Sequence, residues 1–214
     1  MRKMSGLVLL CLLCLLTACG LDGQGDGSDQ AQSRVTAETA GMETGYTDTE
    51  TDEDPHTLIV YFSQSGNTEQ IAEYIRQDTG ADIFRITTVE PYPDVLEDLY
   101  ERGQTELDAG ARPELAGIIE NMDSYDTVFL GYPIWGGTCP MAVFSFMEQH
   151  DFTGKTVIPF CTHGGSGFSR SISDIEKTLP ADITMKKGFS VSGSRAAEAQ
   201  ADVEAWLDTL QPGL

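Results

Sequence analysis

The chain has 214 residues, with 34 acidic against 13 basic side chains and a formal net charge of −21. That length admits one domain with a core plus additional segments. Such acidity argues against nucleic acid and against close approach to anionic lipid heads; it serves solubility, a basic protein partner or a cationic surface.

Arg2 and Lys3 precede an apolar run from Leu7 to Leu16, which ends in Leu16-Thr17-Ala18-Cys19. A short basic head, a run too short to span a bilayer comfortably and a small-residue site predict a secretory signal over residues 1–19. Leu16-Thr17-Ala18-Cys19 resembles the bacterial lipobox, which implies a lipid on Cys19 as the mature N-terminus. An ordinary signal peptide or a single-pass anchor is the alternative. Gly20 to Pro55 holds ten acidic residues, one base (Arg34) and almost no large apolar side chain. It cannot bury enough apolar surface to offset chain entropy, so residues 20–55 are predicted to be a disordered tether.

Residues 56–214 form the predicted domain and carry 24 acidic and 10 basic residues, a net of −14. Leu58 to Phe62 is a β-branched and aromatic run that suits a strand buried on both faces. Ser63-Gln64-Ser65-Gly66-Asn67-Thr68 breaks it. Ile71, Ala72 and Ile75 then share one helical face, and Gly80 is placed to end that helix. Asp82–Ile86 reads as a second strand. Val95, Leu96, Leu99 and Tyr100 follow at helical spacing, with Gly103 and Gly110 weakening any helix beyond them. Pro113 opens a candidate helix carrying Leu115, Ile118, Ile119 and Met122. Asp126–Gly131 is a third strand, Met141–His150 a helix, Thr156–Cys161 a fourth strand, and Ser169–Leu179 a helix. Met185–Val191 is a last strand, with Lys186 and Lys187 suggesting an edge. Ala196–Leu210 closes the chain as a helix. Five strands alternating with helices predict an α/β fold, a doubly wound parallel sheet with its site at the carboxyl ends of the strands.

Three turns lie at such ends. Ser63, Ser65, Asn67 and Thr68 offer hydroxyls and an amide at a helix start, and Gly66 lets the backbone come close, which suits a phosphate monoester. The same residues also read as a plain turn capped by Asn67 or Thr68. No lysine is present for a triphosphate loop, and G-x-G-x-x-G is absent. Tyr132-Pro133-Ile134-Trp135-Gly136-Gly137-Thr138 places a Trp beside glycines, as a wall for a planar ring or as a cover for the core. Thr162-His163-Gly164-Gly165-Ser166-Gly167-Phe168 lets backbone groups reach a ligand edge, with His163 a hydrogen-bond donor or a plain surface histidine. Ser166 lacks the final glycine of G-x-S-x-G, and His56 and His150 have no metal-ligand spacing. Of five cysteines only Cys139 and Cys161 fall in the domain, where they could form one bridge.

These three turns, in this order, resemble the flavodoxin family, and within it the bacterial flavodoxin-like proteins with a T-H-G-G-S-G signature. The resemblance covers nearly all of residues 57–210. It implies a five-stranded parallel sheet of order 2-1-3-4-5 and flavin mononucleotide (FMN) as cofactor. Ser63, Ser65, Gly66, Asn67 and Thr68 would hold the phosphate. Pro133, Ile134, Trp135 and Gly136 would line the isoalloxazine, with Thr162, His163, Gly164 and Gly165 along its other edge. The function implied is electron transfer or small flavin-dependent reduction outside the cytoplasm, with an unidentified redox partner and a membrane contact through the lipid alone. A flavin-free binding lipoprotein and a nicotinamide-dependent quinone-type reductase are the alternatives. Acidic surroundings would oppose the anionic reduced flavin, and a protonated His163 would favour it. The export signal and the polar segment Pro91–Gly110 depart from a soluble carrier.

Overall fold

The computed structural model describes residues 56–210. The signal segment, Cys19 and the tether lie outside the described residues. Strands and helices alternate: β1 Thr57–Tyr61, α1 Asn67–Thr79, β2 Asp82–Arg85, α2 Leu96–Ala109, β3 Thr127–Pro133, α3 Met141–Gln149, β4 Thr156–His163, α4 Ser171–Thr178, β5 Thr184–Met185, β6 Phe189–Ser192 and α5 Gln200–Asp208. The sheet order is β2-β1-β3-β4-β5, with β6 also on β4, and every pairing is parallel. This is the doubly wound parallel sheet that the alternation predicts, in the order 2-1-3-4-5 that the resemblance implies.

Both faces of the sheet are buried, which is why its strands read as continuous apolar runs. Along β1 and the residue after it, Leu58, Val60 and Phe62 pack on one side with Val128, Leu130, Val143 and Phe146. Ile59 and Tyr61 pack on the other with Ile71, Ile75, Phe129, Val203 and Trp206. Helix α1 ends where Gly80 takes φ 68°, its N–H bonded to the Arg76 carbonyl. A β-carbon is disfavoured in that left-handed region.

The last strand departs from expectation, because it is broken into β5 and β6 along the same edge of β4. The carbonyls of Lys155 and Val157 accept from Thr184 and Lys186 on that edge. Strand alternation puts the Pro159 nitrogen on the same edge, and proline has no N–H to offer. Gly188 passes there so closely that a β-carbon would lie 2.5 Å from the Pro159 carbonyl oxygen.

Three further expectations are corrected. No helix spans Pro113–Met122; that stretch runs extended, bridging Thr88 to Leu115, with a short 3-10 turn at Met122–Ser124. Its backbone is satisfied by residues 87–89, which accept and donate at 2.9 Å with Ala116 and Glu114. Helix α2, by contrast, continues through Gly103 to Ala109. There the missing side chain is used: a β-carbon on Gly103 would come within 3.3 Å of the Trp135 ring. Cys139 and Cys161 are buried free thiols and form no bridge. Burial pushes both thiols up to about 12.

Candidate functional site

The first turn leaves β1 with the Phe62 N–H bonded to the Gly131 carbonyl at 2.9 Å. Gly66 then adopts φ 84° and stands at the N-cap of α1, and no side chain caps that helix. The alternative of Asn67 or Thr68 as cap is therefore not what forms. Thr68 is buried, and its hydroxyl meets that of Thr162 at 2.8 Å. Asn67 Nδ2 donates to Ser65 Oγ at 3.2 Å. Ser63 is 4 % exposed, and its Oγ has no hydrogen-bond partner among the described residues. A buried hydroxyl left unpaired costs about 1–3 kcal/mol. An uncapped helix start of thirteen residues presents free N–H groups and the positive end of its dipole. Both features fit an anion at this loop.

Arg85 braces the loop from behind. Its Nη2 donates to the Ser63 carbonyl at 2.8 Å and its Nη1 reaches Glu69 at 3.3 Å. Tyr61 also donates to Glu69, and burial together with that carboxylate pushes its phenol up to about 12.

The second turn is a tight hairpin, with Trp135 and Thr138 exchanging backbone hydrogen bonds at 2.8 and 3.0 Å. Gly136 and Gly137 sit between them at φ 56° and 84°. Positive φ at both central residues is what such a turn demands. The Ile134 N–H donates to the Thr162 carbonyl at 2.9 Å, which docks this turn against the third. In the third turn the Gly165 N–H donates to His163 Nδ1 at 2.9 Å. Nδ1 therefore accepts, and the neutral imidazole carries its proton on Nε2. Tyr132 and Ser171 share a buried hydrogen bond at 3.1 Å that ties β3 to the start of α4.

The three turns meet in one cleft of about 430 Å³. It is bordered by Ser65, Asn67, Pro133, Ile134, Thr162, His163 and Gly164 of the predicted residues. Ser63 and Thr68 lie buried beneath it, and Gly66 sets the turn. Gly165 is exposed beyond it and holds His163. Trp135 and Gly136 line a neighbouring groove instead. Trp135 packs edge-to-face with Phe62 and Tyr92, each at 5.3 Å between ring centroids. Sequence reasoning missed Ser192, Gly193 and Ser194, which close the cleft on its far side. The signal was there: a Ser-Gly-Ser turn directly follows the last strand, the same residue types as the first loop. Gly193 also passes close to Asn67, since a β-carbon on it would lie 2.9 Å from Asn67 Nδ2. Hydroxyls and a helix start at one end, with Pro133, Ile134 and His163 at the other, suit a singly phosphorylated ligand with a planar ring. Among the described residues no group of three or more His, Cys, Asp or Glu side chains could hold a metal. No helix among them is long and apolar enough to cross a membrane.

No curated protein matches the chain. Solved structures do. A candidate flavoprotein from Bacteroides eggerthii shares 32% identity over 72% of this chain and 96% of its own, with a TM-score of 0.62. A second, from Bacteroides uniformis, shares 28% over 72% and 98%, with a TM-score of 0.65. A flavoprotein from Lactobacillus acidophilus, solved in complex with FMN, has the same fold at 18% identity, covering 67% of this chain and 97% of its own with a TM-score of 0.58. The flavodoxin family model matches residues 56–210, and the chain belongs to the flavodoxin family.

Proposed function

We propose that the chain binds FMN in the cleft between its three turns and passes electrons through it, outside the cytoplasm, on a lipid anchor at Cys19. The observation that carries the reading is the pairing of the unpartnered, buried Ser63 hydroxyl with the uncapped start of α1, beside a cleft walled by Pro133, Ile134 and His163. That the Lactobacillus acidophilus relative of the same fold was solved with FMN supports the choice of flavin.

Ser63, Ser65, Asn67 and Thr68 with the α1 backbone would hold the phosphate; Ser192 and Ser194 add hydroxyls on the opposite wall. Pro133 and Ile134 would exclude water from one side of the ring. His163 would present its Nε2–H as a neutral donor, because Nδ1 is engaged by the Gly165 N–H. Bound flavin supplies one- and two-electron chemistry, and the protein's part is position and electrostatics. The −14 charge of residues 56–214 suits a redox partner with a basic surface.

The deciding measurement is a titration of the purified chain with FMN, followed by flavin absorption and fluorescence. Saturable one-to-one binding is expected, and its absence overturns the reading. Mass spectrometry of the mature N-terminus tests the anchor: a lipid on Cys19 is expected, and an unmodified residue downstream of it would refute the tethering.

A further inference from the structure

We infer that Tyr92 is a positioning residue for the cleft: it fixes Trp135, and through Trp135 the Pro133–Ile134 wall, while α2 fixes Tyr92 in turn. The consequence for a ligand rests on the flavin reading; the packing does not.

Trp135 stands in a turn that does not orient it alone. Gly136 and Gly137 follow it at φ 56° and 84°, in the permissive backbone region of glycine. Rings from elsewhere in the chain hold the indole. Trp135 meets Phe62 and Tyr92 edge-to-face, and those two meet each other the same way, all three pairs at 5.3 Å between centroids. Edge-to-face pairs have a preferred geometry, so a closed triangle of them fixes all three rings. Gly103 of α2 comes against the same indole, where a β-carbon would lie 3.3 Å from it.

Phe62 is set by the sheet, being buried with its N–H bonded to the Gly131 carbonyl. Tyr92 is not, because it falls in the connection between β2 and α2. Its side chain places it instead. The hydroxyl donates to one Glu106 oxygen at 2.6 Å, and Arg102 donates to the other at 2.8 Å while lying 4.2 Å over the Tyr92 ring. Arg102 also bonds the Pro91 and Glu90 carbonyls at 2.8 and 3.1 Å, and Gln64 of the first turn reaches the Pro93 carbonyl at 3.3 Å. Burial, and after it the Glu106 carboxylate, push the Tyr92 phenol upward, so the hydroxyl stays a donor at neutral pH. No residue of α2 is itself buried, which leaves this knot as a main tie of the helix to the core. Tyr92 is thus where the first turn, the second turn and α2 converge.

The arrangement bears on the cleft because the second turn runs straight into it. Ile134, next to Trp135, borders the cleft together with Pro133, and its N–H donates to the Thr162 carbonyl. Trp135 lines the neighbouring groove. The triangle therefore keeps the indole beside the cleft and the Pro133–Ile134 pair along it. A wall held in its binding geometry beforehand spares a ligand the cost of ordering it. Without the Tyr92 ring, the fraction of molecules with an ordered wall falls, and apparent affinity falls with it.

The test uses the full chain labelled with fluorotryptophan. Its two tryptophans give two fluorine resonances, which Trp135→Phe assigns. In the FMN-free protein Tyr92→Leu should shift and broaden the Trp135 signal and leave that of Trp206 unmoved. FMN should bind this variant at least about fivefold more weakly, as when the ordered wall drops to a fifth of the population. Tyr92→Phe keeps the ring and loses only the bond to Glu106, so it should fall between Tyr92→Leu and the unaltered chain in both readouts. It also carries the test should Tyr92→Leu not fold. Phe152→Leu is the control, a fully buried ring just before β4, at the opposite end of the sheet from the turns. It should lower stability in urea while sparing the Trp135 signal and FMN affinity. An unmoved Trp135 signal in the Tyr92 variants would overturn the inference. So would an FMN affinity that falls no further than in Phe152→Leu at equal loss of stability. Unaltered behaviour of Tyr92→Phe would refute the part given to α2. A Trp135 signal that moves in a chain that never binds FMN would leave the triangle standing and refute the flavin reading; FMN binding with an unmoved signal would do the reverse.

Discussion

The hydroxyls of Thr68 and Thr162 lie 2.8 Å apart in the protein interior, joining the first turn of α1 to the end of β4. The contact links the first and third turns of the cleft from beneath. Thr68→Val leaves the Thr162 hydroxyl buried without its partner, a cost of roughly 1–3 kcal/mol. Replacing both by Val removes the orphan and should cost less than the sum of the single changes. Urea unfolding of the two single variants and the double variant measures this. Additive losses would show that the hydrogen bond contributes nothing.

Ser63 gives the opposite pattern. Its hydroxyl is buried and unpartnered in the protein alone, so Ser63→Ala should leave the FMN-free protein as stable or more stable. If Ser63 holds the FMN phosphate as proposed, the same change would remove a hydrogen bond to a charged group, worth about 1.5–3 kcal/mol, and should weaken FMN roughly 10- to 150-fold. Thermal unfolding of the FMN-free form and a flavin titration read the two effects separately. A destabilised variant with undiminished FMN affinity would make Ser63 a structural residue only.

Much of this was legible from residue type and spacing. The apolar runs at Leu58–Phe62, Asp126–Gly131 and Thr156–Cys161 gave the buried strands because a parallel sheet buries both faces. The three turns were visible because small, polar and glycine residues follow those runs directly. What escaped depends on distant partners. Gly103 reads as a helix breaker until Trp135 is seen against it. Leu115 and Ile119 have helical spacing, but residues 87–89 pair with Glu114 and Ala116, and the Ile119 N–H donates to His150 Nε2. Ser192 to Ser194 reach the cleft only because β6 pairs with β4 beyond Pro159.

Alkaline pH should destabilise the protein in part through its two thiols, alongside the buried Tyr61 phenol. Burial raises Cys139 and Cys161 from the ordinary 9.0 to about 12. The folded state therefore keeps both protons in a range where the unfolded chain releases them. Their stabilising contribution is complete below pH 9 and is lost as pH rises from about 9 to about 12. The loss reaches about 1.4 kcal/mol per pH unit for each thiol at most. Urea unfolding between pH 8 and 11 should show this decline, and Cys161→Ala should reduce its slope. Thiol reagents at pH 8 should label neither cysteine before unfolding. A flat profile, or rapid labelling of the native chain, would contradict the buried, protonated state.

Gly131 and Phe160 are register partners on β3 and β4, and the Phe160 ring lies over the glycine. A β-carbon on Gly131 would fall 2.1 Å from the Phe160 ring, far inside van der Waals contact. Phe160 is fully buried and has nowhere to swing, so Gly131→Ala should cost at least roughly 3 kcal/mol, the upper end for overpacking. The damage should reach the cleft, because the Gly131 carbonyl accepts the Phe62 N–H at the root of the first turn. FMN binding should weaken along with stability. Phe160→Leu alone creates a void and also destabilises, but combined with Gly131→Ala it relieves the clash. The double variant should be more stable than Gly131→Ala alone and recover FMN affinity. A double-mutant cycle in urea tests the coupling. If Gly131→Ala is tolerated within about 1 kcal/mol, the sheet relaxes more easily than its packing implies, and the ring does not hold the strand in place.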